Sequence, residues 1–354
     1  MSFGSSSGTT TNSEINVSND RVLNSPPEDS VSDLAFSPQA EFLSVASWDK
    51  KVRIYELTAT GDSQGRALYE HEAPVLSTRW FPDGGKVVSG GCDNAVRVYD
   101  LQSGQSAQIG QHEGPVSAVR VVDVGSPMVA SCSWDKTVRY WDVRQGPGAG
   151  PVSTLQLPER AYTMDAEKKL LVVGTAERHI CLIDLSNPGS IFKTVQSPLK
   201  WQTRVVACYP SGTGYAVGSI EGRCAIQYVD AAEQSKLGFS FKCHRETRST
   251  PRPENVIYPL NAISFHPVYG TFSTAGSDGT FHFWDKDSKY RLKGSGNVGG
   301  SIACTAFNRN GNIFAYAVSY DWSKGHQFNT QNYPNMVKLH PTTDEEVKQR
   351  PKKR

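Results

Sequence analysis

Charge of one sign is missing from this sequence: 37 Lys and Arg face 35 Asp and Glu across 354 residues, a formal net charge of +2. No overall field pulls such a molecule onto nucleic acid or an anionic bilayer, so any contact with phosphate has to come from a local cluster. Paired cysteine is missing too. The seven Cys (92, 132, 181, 208, 224, 243 and 304) stand singly with no C-x-x-C, which suits a reducing compartment better than a disulfide framework. The eight His (71, 112, 179, 244, 266, 282, 326 and 340) show no metal-ligand spacing, so neither a metal nor any other cofactor is expected. No stretch approaches the roughly 18–20 apolar residues of a membrane span; the longest apolar runs, such as residues 170–173, are strand-sized. The opening MSFGSSSGTTTNS has neither the positive start nor the apolar stretch of a signal peptide. That predicts a cytosolic or nuclear protein, without membrane insertion, whose sequon at Asn16 is never used.

What is present is a repeat. An apolar alternation, a strand, a small residue, an acidic turn and a second strand recur, most clearly in Leu43-Ser-Val-Ala-Ser-Trp-Asp49 and Val129-Ala-Ser-Cys-Ser-Trp-Asp135. Further copies carry Asp93 and Asp278, and weaker ones Glu177, Glu221 and Asp321. The intervals between these acidic residues are 44, 42, 42, 44, 57 and 43. A period of about 40–45 residues with strand-like alternation is that of four-stranded blades, and seven copies close a ring. The long interval places an insertion between Glu221 and Asp278. The seventh copy supplies only three strands, in residues 302–307, 313–319 and 336–339. The fourth is expected from the N-terminus, within residues 15–23, because pairing the two ends in one blade removes an exposed sheet edge. The reading is an all-β, seven-bladed propeller over residues 15–342, flanked by a disordered Ser/Thr/Gly-rich tail (1–14) and a basic tail (343–354) whose end, residues 348–354, is expected to be without structure.

In the second and third copies a His precedes the first strand (His71, His112). A Ser lies four residues before the Asp (Ser89, Ser131) and an aromatic six after it (Tyr99, Trp141). Such a set gives a buried carboxylate the partners it needs. It recurs around a ring and does not converge on one nucleophile, which argues for a structural network and against a hydrolase. The residue just before each acidic position opens toward the top of the ring. Those residues are Trp48, Cys92, Trp134, Ala176, Ile220, Ser277 and Tyr320. Three aromatics and an Ile on a solvated rim point to a docking surface.

Asn312-Ile-Phe-Ala-Tyr-Ala-Val-Ser-Tyr-Asp-Trp-Ser-Lys-Gly-His326 resembles the last-blade signature of the WD-repeat mRNA-export factors. Ser219-Ile-Glu-Gly-Arg223, Phe241-Lys-Cys-His-Arg245, Phe265-His-Pro-Val and Trp284-Asp-Lys-Asp287 fit the same family, as does the opening from Pro26 to Pro38. The likeness runs from about residue 20 to the end. The spindle-checkpoint WD-repeat proteins share Ser-Ile-Glu-Gly-Arg and Phe-Lys-Cys-His-Arg but not Tyr-Asp-Trp-Ser-Lys-Gly-His. A checkpoint scaffold binding a related kinase segment is therefore the alternative reading.

The resemblance implies a non-enzymatic adaptor, a monomer within a heteromeric complex, in the nucleus and at the nuclear pore and also in the cytoplasm. Family members hold the GLEBS segment of an FG-repeat nucleoporin across the top face. A Glu of that segment meets basic residues, matched here by Arg245 and Lys324, with Arg204 as a third. Trp48, Trp134, Tyr162, Ile220, Tyr258 and Tyr320 supply the apolar floor. RNA is the second implied partner. Arg245, Arg248 and Arg252 of the insertion and Lys352, Lys353 and Arg354 of the tail offer positive charge. No RNA-reading motif accompanies them, so the expected contact is weak, sequence-tolerant and salt-sensitive.

Overall fold

The computed structural model describes residues 14–58, 61–146, 148–248 and 253–350. Within them lie seven four-stranded antiparallel sheets and one separate two-stranded hairpin. The innermost strands of the seven sheets run Val31–Phe36, Val75–Trp80, Val116–Asp123, Ala161–Glu167, Thr203–Cys208, Leu260–Phe265 and Ile302–Phe307. Each touches the inner strands of both neighbouring sheets, and that of blade 7 returns to that of blade 1. The sheets therefore form a closed ring of seven blades around a channel, as the repeat period requires.

The blades take their layering from the alternation of the sequence. Second strands such as Leu170–Thr175 and Gly214–Ser219 are buried on both faces between neighbouring sheets, and they read as unbroken runs of small and branched residues. The outermost strands, such as Gln105–Gln111, are largely exposed and polar, as suits strands with an unpaired edge. Close packing sets glycine at one of these outer positions. A Cβ on Gly110 would lie 2.7 Å from the Trp141 ring of the next blade, so a larger residue there would push that ring out.

Blade 7 is built from both ends of the chain. Arg21–Val22 pairs with Met336–Pro341 as its outer strand, within the segment expected to supply it. The chain on either side of this seam is also held. Ile15 forms a bridge beside Ser295 of blade 6 and is 4% exposed. The C-terminal segment departs from the sequence-based reading, which ended the propeller at residue 342. A capping box of Thr343 and Glu346 starts a short helix, Asp344–Val347. Val347, 2% exposed, joins the same apolar cluster as Ile15, Phe281, Phe314 and Tyr316. The single apolar residue in a run of charges is what fixes this segment. Hydrogen bonds from Thr271 Oγ1 to the Val347 carbonyl and from Tyr269 to Asp344 complete the dock.

The His–Ser–Asp networks are present, with one change of partner and one addition. In blade 3, His112 joins Asp135 (2.8 Å) to Ser131 (2.7 Å), and Trp141 Nε1 donates to the same Ser hydroxyl at 2.7 Å. In blade 2, His71 bridges Asp93 and Ser89, but the aromatic bonded to Ser89 is Tyr69, at 2.9 Å. Tyr99 stacks on Tyr69 instead, because a phenol in place of an indole does not present its polar atom at the same point. Blade 6 carries a third network, His244–Asp278 with Thr274 and Trp284. Its His and Asp stand far apart in sequence because the hairpin Arg245–Arg248/Glu254–Ile257 is inserted between them. Burial works against a charged Asp135, yet hydrogen bonds from Thr137 and His112 outweigh it and lower its pKa.

Candidate functional site

Two sevenfold features of the backbone aim side chains at the top of the ring. The first is an irregularity near the start of every inner strand, where pairing with the second strand slips past Ser32, Leu76, Ser117, Tyr162, Arg204, Asn261 and the pair Ala303–Cys304. A bulge turns its extra residue out of the ladder. Six of these bulge residues, together with Ala303, line the mouth of the channel. The second is the acidic turn. The residue after each acidic position has a left-handed φ: Lys50, Asn94, Lys136, Arg178, Gly222, Gly279 and Trp322. Gly takes such a turn freely and Asn readily, whereas any other side chain, Lys and Arg as well as a bulky ring, costs about 1–2 kcal/mol there. Blade 7 spends that energy to hold an indole at the top of the ring.

The indole has a use. Trp322 stacks on Trp48 of blade 1, centroids 4.1 Å apart at 30°, bridging the seam where the chain ends meet. Together with Trp134, Tyr162 and Arg204, the two rings line a cavity of about 420 Å³ over the channel. Trp134 is 46% exposed. Trp322 Nε1 and Thr203 Oγ1, both lining this cavity, are buried without a hydrogen-bond partner. Arg204 is held from below: its Nε donates to Asn261 Oδ1 (3.2 Å) and its Nη2 to the Asp321 carbonyl (2.9 Å). Asp321 is in turn fixed by Asn261 and by a short contact with Ser277. Burial opposes its charge, but these partners win and lower its pKa.

The residues singled out from the sequence fall into two groups. Trp48, Trp134, Tyr162 and Arg204 converge on the mouth cavity. Ile220, 37% exposed, sits on its rim, its backbone N–H bonded to the carbonyl of cavity-lining Gln202. Tyr320 differs from the expectation. It is 3% exposed, packed beneath Trp322 and against Tyr333, with its hydroxyl donating to the Gly325 carbonyl. Tyr320 lines the mouth cavity from this buried position, beside Trp322. The rule that put Tyr320 on the rim, the position just before the acidic residue, took no account of the left-handed residue two places on, Trp322.

Arg245 and Tyr258 line a separate groove of about 520 Å³ between blades 5 and 6, with Lys242, His282 and Arg291. Arg245 Nη2 donates to the Glu221 carbonyl at 2.9 Å, while its Nε is buried without a partner. Burial lowers the pKa of His282 to about 3, so this groove holds a neutral imidazole. Lys324 is exposed on the blade 7 turn, its Nζ 5.8 Å from the Phe328 ring centroid, and it lines neither the mouth cavity nor the groove of Arg245. Arg248 is exposed and paired with Glu246 at 3.5 Å, so part of the hairpin's positive charge is offset. Arg252, Lys352, Lys353 and Arg354 lie outside the described residues.

Trp322 and Asn261 were not singled out from the sequence as site residues. Trp322 was detectable as the one large aromatic just after an acidic turn residue. Asn261 had no signal short of the strand register.

The WD domain, G-beta repeat family model matches residues 20–56, 63–100, 104–142 and 254–285. The unmatched blades 4, 5 and 7 are those whose turns carry the weaker acidic copies. Across nearly its whole length the chain is 56% identical to the mRNA export factor GLE2 of Chaetomium thermophilum, covering 99% of this chain and 98% of that protein. It is 55% identical to the Poly(A)+ RNA export protein of Schizosaccharomyces pombe, covering 99% of both. Against the mRNA export factor of Danio rerio it is 43% identical, covering 98% of this chain and 95% of that one. Identity at this level over whole chains, with the seven-bladed ring beneath it, means that the chain belongs to the WD-repeat mRNA export factor family.

Proposed function

We propose that this protein is a non-catalytic adaptor of poly(A) mRNA export that works in the nucleus and at the nuclear pore. Its mouth cavity holds the GLEBS segment of an FG-repeat nucleoporin. The observation that carries the reading is the Trp48–Trp322 ring pair and exposed Trp134 lining one cavity with Arg204 at the channel mouth. Rigid aromatics with little entropy to lose dominate interface energies, and a guanidinium braced from below offers a carboxylate parallel hydrogen bonds. Arg245 in the neighbouring groove gives a second, cation-lined place for an acidic side chain. RNA contact is assigned to the hairpin and the basic terminus, weak and without sequence preference, because nothing interleaves stacking aromatics with those charges.

Calorimetric titration with a GLEBS-type peptide tests the reading. Saturable binding at micromolar concentration is expected, weakened at least about tenfold by Trp134→Ala and by Arg245→Glu. Absence of binding by the native protein in that range ends it. For RNA, a steep loss of affinity between low and physiological salt is expected.

A further inference from the structure

Beneath the mouth, the channel narrows to a second cavity of about 180 Å³, which shares Ser32, Tyr162, Arg204 and Asn261 with the cavity above. Its lining carries three guanidiniums, Arg79, Arg120 and Arg204, against two carboxylates, Asp33 and Asp165. The carboxylates are spent on the wall. Asp33 accepts from the Leu34 and Thr78 backbone N–H groups, the Ser77 hydroxyl and Arg79 Nη1. Asp165 accepts from Arg120 Nε and the Cys208 N–H. The arginines are not spent. Arg79 uses only Nη1, on Asp33 and the Thr78 carbonyl. Arg120 uses Nε and Nη1, and Arg204 uses Nε and Nη2. Each guanidinium offers five N–H donors, and no unused nitrogen of Arg79 or Arg120 is fully buried. Burial, with the nearness of Arg120, pushes the Arg79 pKa down despite Asp33 and Asp165.

We propose that the central channel binds one small tetrahedral oxyanion, of the phosphate or sulfate class, between Arg79 and Arg120 with Arg204 above it. The excess of one positive charge, the donor-rich guanidiniums and the satisfied carboxylates select a small, multiply hydrogen-bonding anion. The volume lies below that of sites for drug-sized ligands, which excludes a nucleotide from the lumen. Entry is from the top, through the ring of bulge residues. The site lies away from Trp48, Trp134 and Trp322 but shares Tyr162 and Arg204 with the mouth cavity; its main ligands, Arg79 and Arg120, need no docked peptide.

The test is titration of the full-length protein with inorganic phosphate, and separately sulfate, at constant ionic strength set with sodium chloride. One anion per chain is expected, with a dissociation constant of about 1 mM or tighter. Two variants report on its place. Arg79→Gln removes unused donors and should weaken binding about tenfold or more. Ala303→Phe leaves every charge in place but narrows the passage at a residue shared by both cavities. It should weaken or abolish binding even if Arg79→Gln does not fold. Either no saturable binding by the native protein, or binding that persists unchanged in Ala303→Phe, overturns the proposal; the second result puts the anion on an outer surface.

Discussion

Trp322 lies across Trp48 at 4.1 Å, one ring from the last blade and one from the first. The contact joins the two blades at the seam of the ring, and it exists because Trp322 adopts φ 61°. The same left-handed turn serves blades 5 and 6 with Gly222 and Gly279.

Replacing Trp322 therefore separates two effects. Trp322→Gly relieves the turn and removes the ring; Trp322→Ala removes the ring and keeps the strain. Both should weaken peptide docking at the mouth by about 2 kcal/mol, the scale of an aromatic anchor. The Gly variant should unfold at a higher temperature than the Ala variant. Calorimetry and thermal melting read the two quantities. Equal affinity for all three proteins would show that the indole is packing and not part of the landing surface.

The networks of blades 2 and 3 differ in a way that mutation should expose. Ser131→Ala strips the shared partner from Trp141 Nε1 and His112 Nε2, both buried, and should cost about 2–3 kcal/mol. Tyr99 makes no hydrogen bond through its hydroxyl among the described residues and keeps its stack on Tyr69. Tyr99→Phe should then stay within about 0.5 kcal/mol of the native protein. Denaturant melts compare the two directly, and a large loss on Tyr99→Phe would mean that its hydroxyl joins the network after all.

A pH dependence follows from the seam. His340 Nδ1 lies 2.7 Å from Asp20 and its Nε2 3.4 Å from Glu346. The imidazole is therefore the joint between the N-terminal segment, the last strand and the C-terminal helix. Burial opposes protonation, but the hydrogen bonds to Asp20 and Glu346 outweigh it and hold the pKa up at about 9. A raised pKa stabilises the fold in full below the unfolded value near 6.5, and the contribution fades as pH rises through about 9. The whole effect is about 3 kcal/mol. The melting temperature of the native protein should fall between about pH 7 and about pH 10, and His340→Gln should flatten that slope. Parallel profiles for the two proteins would remove His340 from the account.

The ring was legible because its signal repeats: seven acidic residues, five of their intervals 42–44 and one lengthened to 57 by the insertion, report seven turns. The landing surface was only half legible. Trp48 and Trp134 sit just before an Asp in intact copies, and the structure exposes Trp134 and leaves Trp48 half-buried beside the cavity. In blade 7 the same rule chose Tyr320, since counting positions does not reveal which of two aromatics the left-handed residue will lift. Arg204 and Tyr162 reach the mouth through strand bulges, which are set by pairing between strands and leave no mark on either strand alone. Likewise, the joining of Arg245 to a groove apart from the mouth depends on where the inserted hairpin leaves blade 5, a tertiary fact.

The C-terminal helix gives the last contrast between a tail and a latch. Composition alone makes residues 343–350 a charged, solvated end, but Val347 is buried with Ile15 and its carbonyl is held by Thr271. Val347→Ala should cost about 1.5–3 kcal/mol by lost burial and the cavity left behind. Truncation after Thr342 should cost more, because it also removes Glu346 from His340 and Asp344 from Tyr269. Since Ile15 shares the pocket, truncation should also raise hydrogen exchange at the Ile15 amide, which donates to the Gly294 carbonyl. A truncated protein with an unchanged melting temperature and an equally protected Ile15 would return the segment to the status of a tail. A drop in both would make the seam a three-part closure, in which the outer strand, Ile15 and Val347 hold the ring shut beneath the surface where Trp322 meets Trp48.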